Sequence, residues 1–559
     1  MNSTHYPRLV SVLVVLGMLV AACGAPTPPP AESPTTAPPA GEMPSVAPPA
    51  TEVPTGPVVA TVGIGYEIAS IDPATVWFDS PERASLHALY DGLIVLRGDP
   101  PQADPLLAER WESSDDLTEW TFYLSQEAVF HDGSPVTAEA VKWSWDRMMA
   151  LQSGKSYIWA GVADADSLSV VDDYTVSFAL NKPYVPFLDT LVYLKILNPA
   201  VLREHEEAGD FGEEGDYGQA WLIDHEAGSG PFTIERWEPG VEYVHTAVSD
   251  YWHGWPNGKH VDTFIMKVIR EMKSRLLALQ AGEVDHIVVP DATPEFYALE
   301  ADPNIVVKNV PGYGMWMIMM NNQRGPTADV DVRKSIAYAF DYEGFVPSVG
   351  GGFLAESPLP RGSTYFAPQD MPTFDLERAR EYLAQSEWPD GGFELNIVYL
   401  GTLPLEEQAA LVLAEGLGEL NINLNLVPKT WSEMTEMCGS VDTAPDLWVG
   451  YNSGEIPDPD NFLSANYNSA NWGGWPTCHY YKNEQVEELL DEGASEGDPE
   501  AREDIYAQVQ ELVAADQPVI WFAQGGVPVA WNVRFRGTDT SLGPAEPFYP
   551  LPSDIYIEG

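Results

Sequence analysis

Positive charge is scarce in this sequence: 28 lysines and arginines stand against 84 aspartates and glutamates, a formal charge of −56. That balance excludes nucleic acid as a partner, because binding phosphates requires Lys and Arg to displace counterions. An acidic excess of this size solvates a surface, and salt screens it within a Debye length; a saline source fits it. Cysteine is almost absent, with three residues in 559, and no CxxC, HExxH, GxSxG or phosphate-binding glycine loop occurs. The ten histidines are scattered without ligand spacing, so neither a metal nor a cofactor is expected. One enzyme class survives these absences. A glycosidase needs only two carboxylates facing one cleft, and a pair drawn from 84 acids carries no local signature.

Long apolar runs are missing as well. The opening run Leu9 to Val20 follows a start bearing His5 and Arg8 and is too short to cross a bilayer, so it reads as a signal peptide. It closes on Leu19, Val20, Ala21, Ala22 and Cys23, small residues before a lone cysteine. Residues 1–23 are therefore expected to be a lipoprotein signal, with Cys23 carrying acyl chains worth about 0.8 kcal/mol per buried methylene. The other reading makes Cys23 incidental to an ordinary cleavage site. From Gly24 to Pro57 there is no Leu, Ile or aromatic residue, and twelve of 34 residues are proline. Such a segment builds no core and extends at about 3.1 Å per residue, as a disordered stalk. A leftover without mechanical role would have the same composition.

What is present begins near Val58: about 500 residues, more than one hydrophobic core can serve, so several lobes are required. Hydrophobic residues make up 45% of the chain and aromatics 11%, which supplies them. Cys438 and Cys478 remain once Cys23 is lipidated. Pairing them would close a loop of about 40 residues and contribute roughly 3 to 4 kcal/mol; two separate buried thiols is the alternative.

Apolar residues alternate at Trp120, Phe122 and Leu124, and again at Tyr174, Val176, Phe178 and Leu180, which predicts half-buried strands. Between them Thr137 precedes a helical face of Val141, Trp145 and Met148. Asp331 similarly precedes Val332, Ile336 and Ala339, and Asp498-Pro499 opens a helix along Ile505, Val509 and Leu512. The fold class is α/β.

Several motifs then fall in a telling order. They are Ile71-Asp72-Pro73; Tyr90-Asp91-Gly92-Leu93; Pro105-Leu106-Leu107-Ala108-Glu109-Arg110-Trp111; Phe130-His131-Asp132-Gly133; Gly228-Ser229-Gly230-Pro231-Phe232; Asp250-Tyr251-Trp252; Val332 to Asp341; and Asp458-Pro459-Asp460-Asn461-Phe462. In these the chain resembles the family 5 solute-binding proteins of ABC transporters, from Val58 to the C-terminus. The resemblance implies a type II periplasmic-binding-protein fold with three lobes around a hinged ligand cleft. Lobe I would comprise 58–92, 229–318 and 522–559; lobe II 93–228; lobe III 319–521. Hinges would lie near Met315 to Asn321 and Val519 to Gln524. It implies a monomer without enzymatic turnover, anchored in the membrane by lipid, which closes on a small solute and delivers it to ABC transporter permease subunits. A secreted carbohydrate-active enzyme is the competing class.

The resemblance also places the ligand. Glu455 aligns with the aspartate that fixes a peptide's α-ammonium, Asn452 stands where the peptide binders carry tryptophan, and Trp77, Phe78 and Asp79 align with a loop that touches ligand. The family's dipeptide binders hold the ligand carboxylate with an arginine matching Tyr399 to Pro404, but no basic residue occurs from Gly391 to Pro428. The expectation is therefore an oligopeptide rather than a strict dipeptide, with an uncharged oligosaccharide as alternative.

Overall fold

The computed structural model describes residues 56–76, 80–256, 258–290 and 292–558. The signal segment with Cys23, the stalk up to residue 55, and Trp77, Phe78 and Asp79 lie outside the described residues. Among those described, no helix is long and apolar enough to cross a membrane.

A ten-stranded mixed sheet organises the chain. Its order is Asn423–Lys429, Glu394–Leu400, Leu447–Ser453, Ile305–Met320, Val519–Asn532, His286–Val288, Val59–Ile64, Thr263–Val268, Glu242–Ala247 and Phe232–Glu238. Two long antiparallel strands, Ile305–Met320 and Val519–Asn532, occupy its middle. Residues 315–320 and 519–523 of these strands are unbroken apolar runs because both faces are covered there, and alternate residues feed different cores. Met315, Met317, Met319, Val519 and Trp521 pack with Trp448 and Phe462 on one face. Ile318, Met320, Ile520 and Phe522 pack with Ile336, Leu413 and Leu447 on the other. The register between the two strands slips at Pro311/Met315 and again at Trp316/Met317, the second of these within the first stretch expected to bend. A smaller antiparallel sheet, ordered Ala108–Ser113, Glu119–Leu124, Thr175–Ala179 and Leu168–Asp172, lies apart from the large one. Phe122, Phe178 and Trp145 bury against it, as the period-2 and helical patterns required.

Helix starts refine the reading of the chain. Asp498 caps the helix Pro499–Asp516, accepting from the N–H groups of Glu500 and Ala501. Thr137 does stand at the N-cap of Ala138–Leu151, but its side chain makes no capping bond. For the helix Val330–Tyr338 the cap is Asp329, which accepts from Asp331 N–H; Asp331 belongs to the first turn. Either aspartate fits the same pattern, and only the chain's entry angle chooses between them.

The polar residues of the sequence motifs fasten distant segments together. Asp72 takes a bidentate pair from Arg147 at 2.7 and 2.6 Å, both side chains fully buried. Asp91 accepts from Tyr251 Oη at 2.7 Å, Trp252 Nε1 at 2.9 Å and Ser229 Oγ at 3.0 Å, which joins three motifs at one carboxylate. Arg333 donates to the carbonyls of Thr327, Ala328, Asp516 and Gln517. Buried charge is tolerated here because each is paired or fully hydrogen-bonded. Cys438 and Cys478 form a disulfide, their Cα atoms 5.0 Å apart.

Candidate functional site

The strand Leu447–Ser453 runs out into a short loop that enters the helix Pro459–Tyr467. Proline at the first helical position and Asp458 as cap fix that turn, Asp458 accepting from Asp460 N–H at 3.0 Å. A pair with Arg502 at 2.9 Å holds Asp458 from behind. Glu455 sits in the loop so built. Its own N–H donates to Asn461 Oδ1 at 2.6 Å, which sets the direction of its side chain.

That side chain meets groups from a remote part of the chain. Lys155 Nζ lies 2.6 Å from one carboxylate oxygen and Tyr157 Oη 2.7 Å from the other, while Tyr193 Oη donates to the Glu455 carbonyl at 2.5 Å. The lysine is buried, whereas the Glu455 side chain keeps 26% of its surface open. Lys155, Tyr157 and Tyr193 come from the segment 93–228 and Glu455 from 319–521, so the cluster bridges two of the expected lobes. A main-chain bond from Val185 to Ala494 at 2.9 Å joins the same two segments.

Behind this cluster runs a buried polar chain. Arg83 Nε donates to Glu546 Oε2 at 2.8 Å, His87 Nε2 lies 3.1 Å from Glu546 Oε1, and Lys195 Nζ donates to His87 Nδ1 at 3.1 Å. Burial pulls His87 down to about 4, so the ring is neutral and Nδ1 is free to accept. Burial alone would raise Glu546, yet Arg83 and His87 hold it down to about 2. The hydroxyl of Tyr313 is buried nearby with no partner among the described residues. Across the junction Asp189 is raised to about 7, by burial first and by the charge of Asp458 second.

The expected site residues divide. Glu455 faces the junction. Asn452 turns inward, 8% exposed, and donates to Asn466 Oδ1 at 2.6 Å. Lys155, Tyr157, Tyr193, Arg83, Glu546 and Tyr313 carried no local signal, since each is an isolated residue whose neighbours come from elsewhere in the chain. Among the described residues no group of three or more His, Cys, Asp and Glu has metal-holding geometry.

A model of bacterial extracellular solute-binding proteins, family 5, matches residues 102–474, which includes Glu455 and Asn452. The chain belongs to this family. Family 5 proteins are periplasmic or extracellular solute-binding proteins. The chain is 30% identical to the probable D,D-dipeptide-binding periplasmic protein of Escherichia coli (strain K12), over 85% of this chain and 90% of that one. It is 25% identical to heme-binding protein A of Haemophilus influenzae, over 83% of this chain and 85% of that one. Among solved structures, HbpA2 from Haemophilus parasuis superposes with a TM-score of 0.80 at 25% identity, covering 90% of this chain and all of that one. DppA from Helicobacter pylori, in complex with the peptide STSA, superposes at 0.68 and 24% identity, over 90% and 98% of the two chains. The type II periplasmic-binding-protein fold is thereby established.

Proposed function

We propose that this family 5 protein captures a peptide between its lobes and hands it unchanged to the permease subunits of an ABC importer. The lobes are those drawn from the sequence, lobe I from 58–92, 229–318 and 522–559, lobe II from 93–228 and lobe III from 319–521. The observation that carries the reading is a match running nearly the whole length of both chains to a relative named for binding D,D-dipeptides. The cluster at Glu455 supports it. A carboxylate bridging two segments, partly open and already paired with an ammonium, is suited to exchange Lys155 for the α-ammonium of a peptide. Binding energy then biases the lobes toward closure, which is all a transport receptor requires, and no bond in the solute is made or broken. Acylated Cys23 and the proline-rich stalk 24–57 tether the monomer to the outer face of the cytoplasmic membrane.

Incubating the full chain with a peptide library and a glycan library, then analysing bound and free material by mass spectrometry, tests this. Intact peptides retained by the protein are the expected result. Retention of glycans alone would transfer the site to oligosaccharides, and cleavage of either library would make the protein an enzyme.

A further inference from the structure

A cavity of about 340 Å³ opens at the carboxyl ends of three parallel strands, Val59–Ile64, Thr263–Val268 and His286–Val288. Ile64, Gly65 and Tyr66 reach it from the first, Arg270 from beyond the second, and Val288 to Pro290 from the third. Ligands of open α/β sheets sit at this edge. The crossover helix Met272–Gln280 begins here after Glu271, and the unpaired N–H groups of its first turn favour an anion.

Arg275, in that first turn, gives an independent observation. It is 3% exposed, lines the cavity, and among the described residues has no carboxylate in contact. Nη1 donates to the carbonyls of Ile269 at 2.9 Å and Arg270 at 3.3 Å, and Nε is buried with no partner. Burial pulls the guanidinium below its ordinary range, with Tyr549, Tyr66 and Glu271 acting the other way, but an arginine stays charged in proteins. Gly65 makes the room: a Cβ there would lie 2.4 Å from Nη1. A buried cation with no carboxylate in contact is costly, so among the described residues the site is short of an anion.

The lining is unusual for so acidic a chain. Three larger cavities each carry acid: Asp91, Asp104 and Asp554 in one, Asp250 in the second, Asp341, Glu343 and Glu356 in the third. Among the described residues this one is lined by two arginines and no acid. Arg270 is paired with Glu67 at the exposed rim, which leaves Arg275 for a ligand.

We propose that this cavity binds a carboxylate of the transported solute, with Arg275 as its counter-ion. The proposal rests on the peptide reading, in which the group is the peptide's C-terminal carboxylate, the one for which residues 391–428 offer no cation. Tyr66, Phe548 and Tyr549 then flank the last side chain.

The test uses two tripeptide libraries, one with free C-terminal carboxylates and one of the corresponding amides, competed for the full chain and read by native mass spectrometry. Wild type should retain acids over amides by about tenfold or more, the size of one charge-assisted contact. Arg275→Gln should abolish that preference, and Arg275→Lys, which keeps the charge but loses the fork, should reduce it. Equal retention of acids and amides by wild type overturns the proposal alone and leaves the peptide reading standing; this arm needs no variant to fold. A preference that survives in folded Arg275→Gln also overturns it. Retention of neither library overturns the peptide reading and this proposal with it.

Discussion

Glu455 and Asp72 are both ion-paired acids, yet burial gives them opposite uses. Asp72 and Arg147 are closed off from water, so neither partner can leave without stranding the other. Asp72→Asn is expected to cost about 3 to 5 kcal/mol, read as a lowered denaturation midpoint with no change in ligand preference. Glu455 keeps 26% of its side-chain surface open, and in the proposed function a ligand ammonium reaches it from that side. Glu455→Gln should weaken binding of free-amine peptides by about a hundredfold, the equivalent of about 3 kcal/mol lost from a desolvated pair. Lys155→Met should strengthen it, because the ligand ammonium no longer competes with an internal one. Calorimetry with one peptide and its N-acetyl form separates these effects; equal affinities of both forms for wild type would remove Glu455 from the ammonium site.

At the scale of elements, close approach of backbones governs more than any side chain. Gly228 precedes the strand Phe232–Glu238, and a Cβ at that position would lie 1.9 Å from the Leu89 carbonyl oxygen. The obstacle is main chain at the end of the helix Ser80–Leu89, which is tied to Gly230 by a 3.0 Å bond between Leu89 O and Gly230 N. Neither side can yield locally. Gly228→Ala should therefore destabilise the protein by at least about 1 to 3 kcal/mol, seen in thermal melts, while Gly133→Ala, with nothing within 4 Å of its Cβ, should lose only what its positive φ of 84° demands. Comparable melts for the two variants would show that the contact is relieved by a shift of the helix. The Gly228-Ser229-Gly230 stretch was legible as a family motif; its partner, 139 residues earlier in the chain, was not.

For the whole molecule, titration couples stability to the junction between segments. Asp189, partly buried and facing Asp458, is raised to about 7, and buried Asp460 to about 6. Acids with raised folded-state values retain protons that the unfolded chain has lost, so between about pH 4 and 7 their contribution to stability falls as pH rises. Glu546 works oppositely: held down to about 2, its contribution is full above its unfolded value of 4.5 and is lost as pH drops toward 2. Buried neutral His87, His245, His286 and His479, lowered to about 4, 4, 3 and 3, also penalise acid. A difference experiment isolates one group. Asp189→Asn should raise the melting temperature at pH 8, where the wild-type carboxylate is charged in spite of its burial and the nearby Asp458, and raise it much less near pH 4.5, close to the unfolded value of 3.8. An equal gain at both pH values would attribute the effect to packing rather than charge.

Local chemistry alone determined a good deal of this protein. Alternation at Trp120 to Leu124 and the Asp498-Pro499 helix start depend on neighbours within a few residues, so they were readable along the chain, and the ordered motifs specified the fold family. The tertiary structure decided what those motifs do. Asp72, Asp91 and Arg333 serve as internal fasteners because their partners lie 75, 160 and 183 residues away. It also chose between a bridged and an open pair of cysteines, and between Asp329 and Asp331 as helix cap. Above all it brought Lys155 across 300 residues to Glu455 and buried Arg275 with no carboxylate in contact among the described residues. Charge pairing acts through space at a few ångströms, and a sequence records only the distance along the chain.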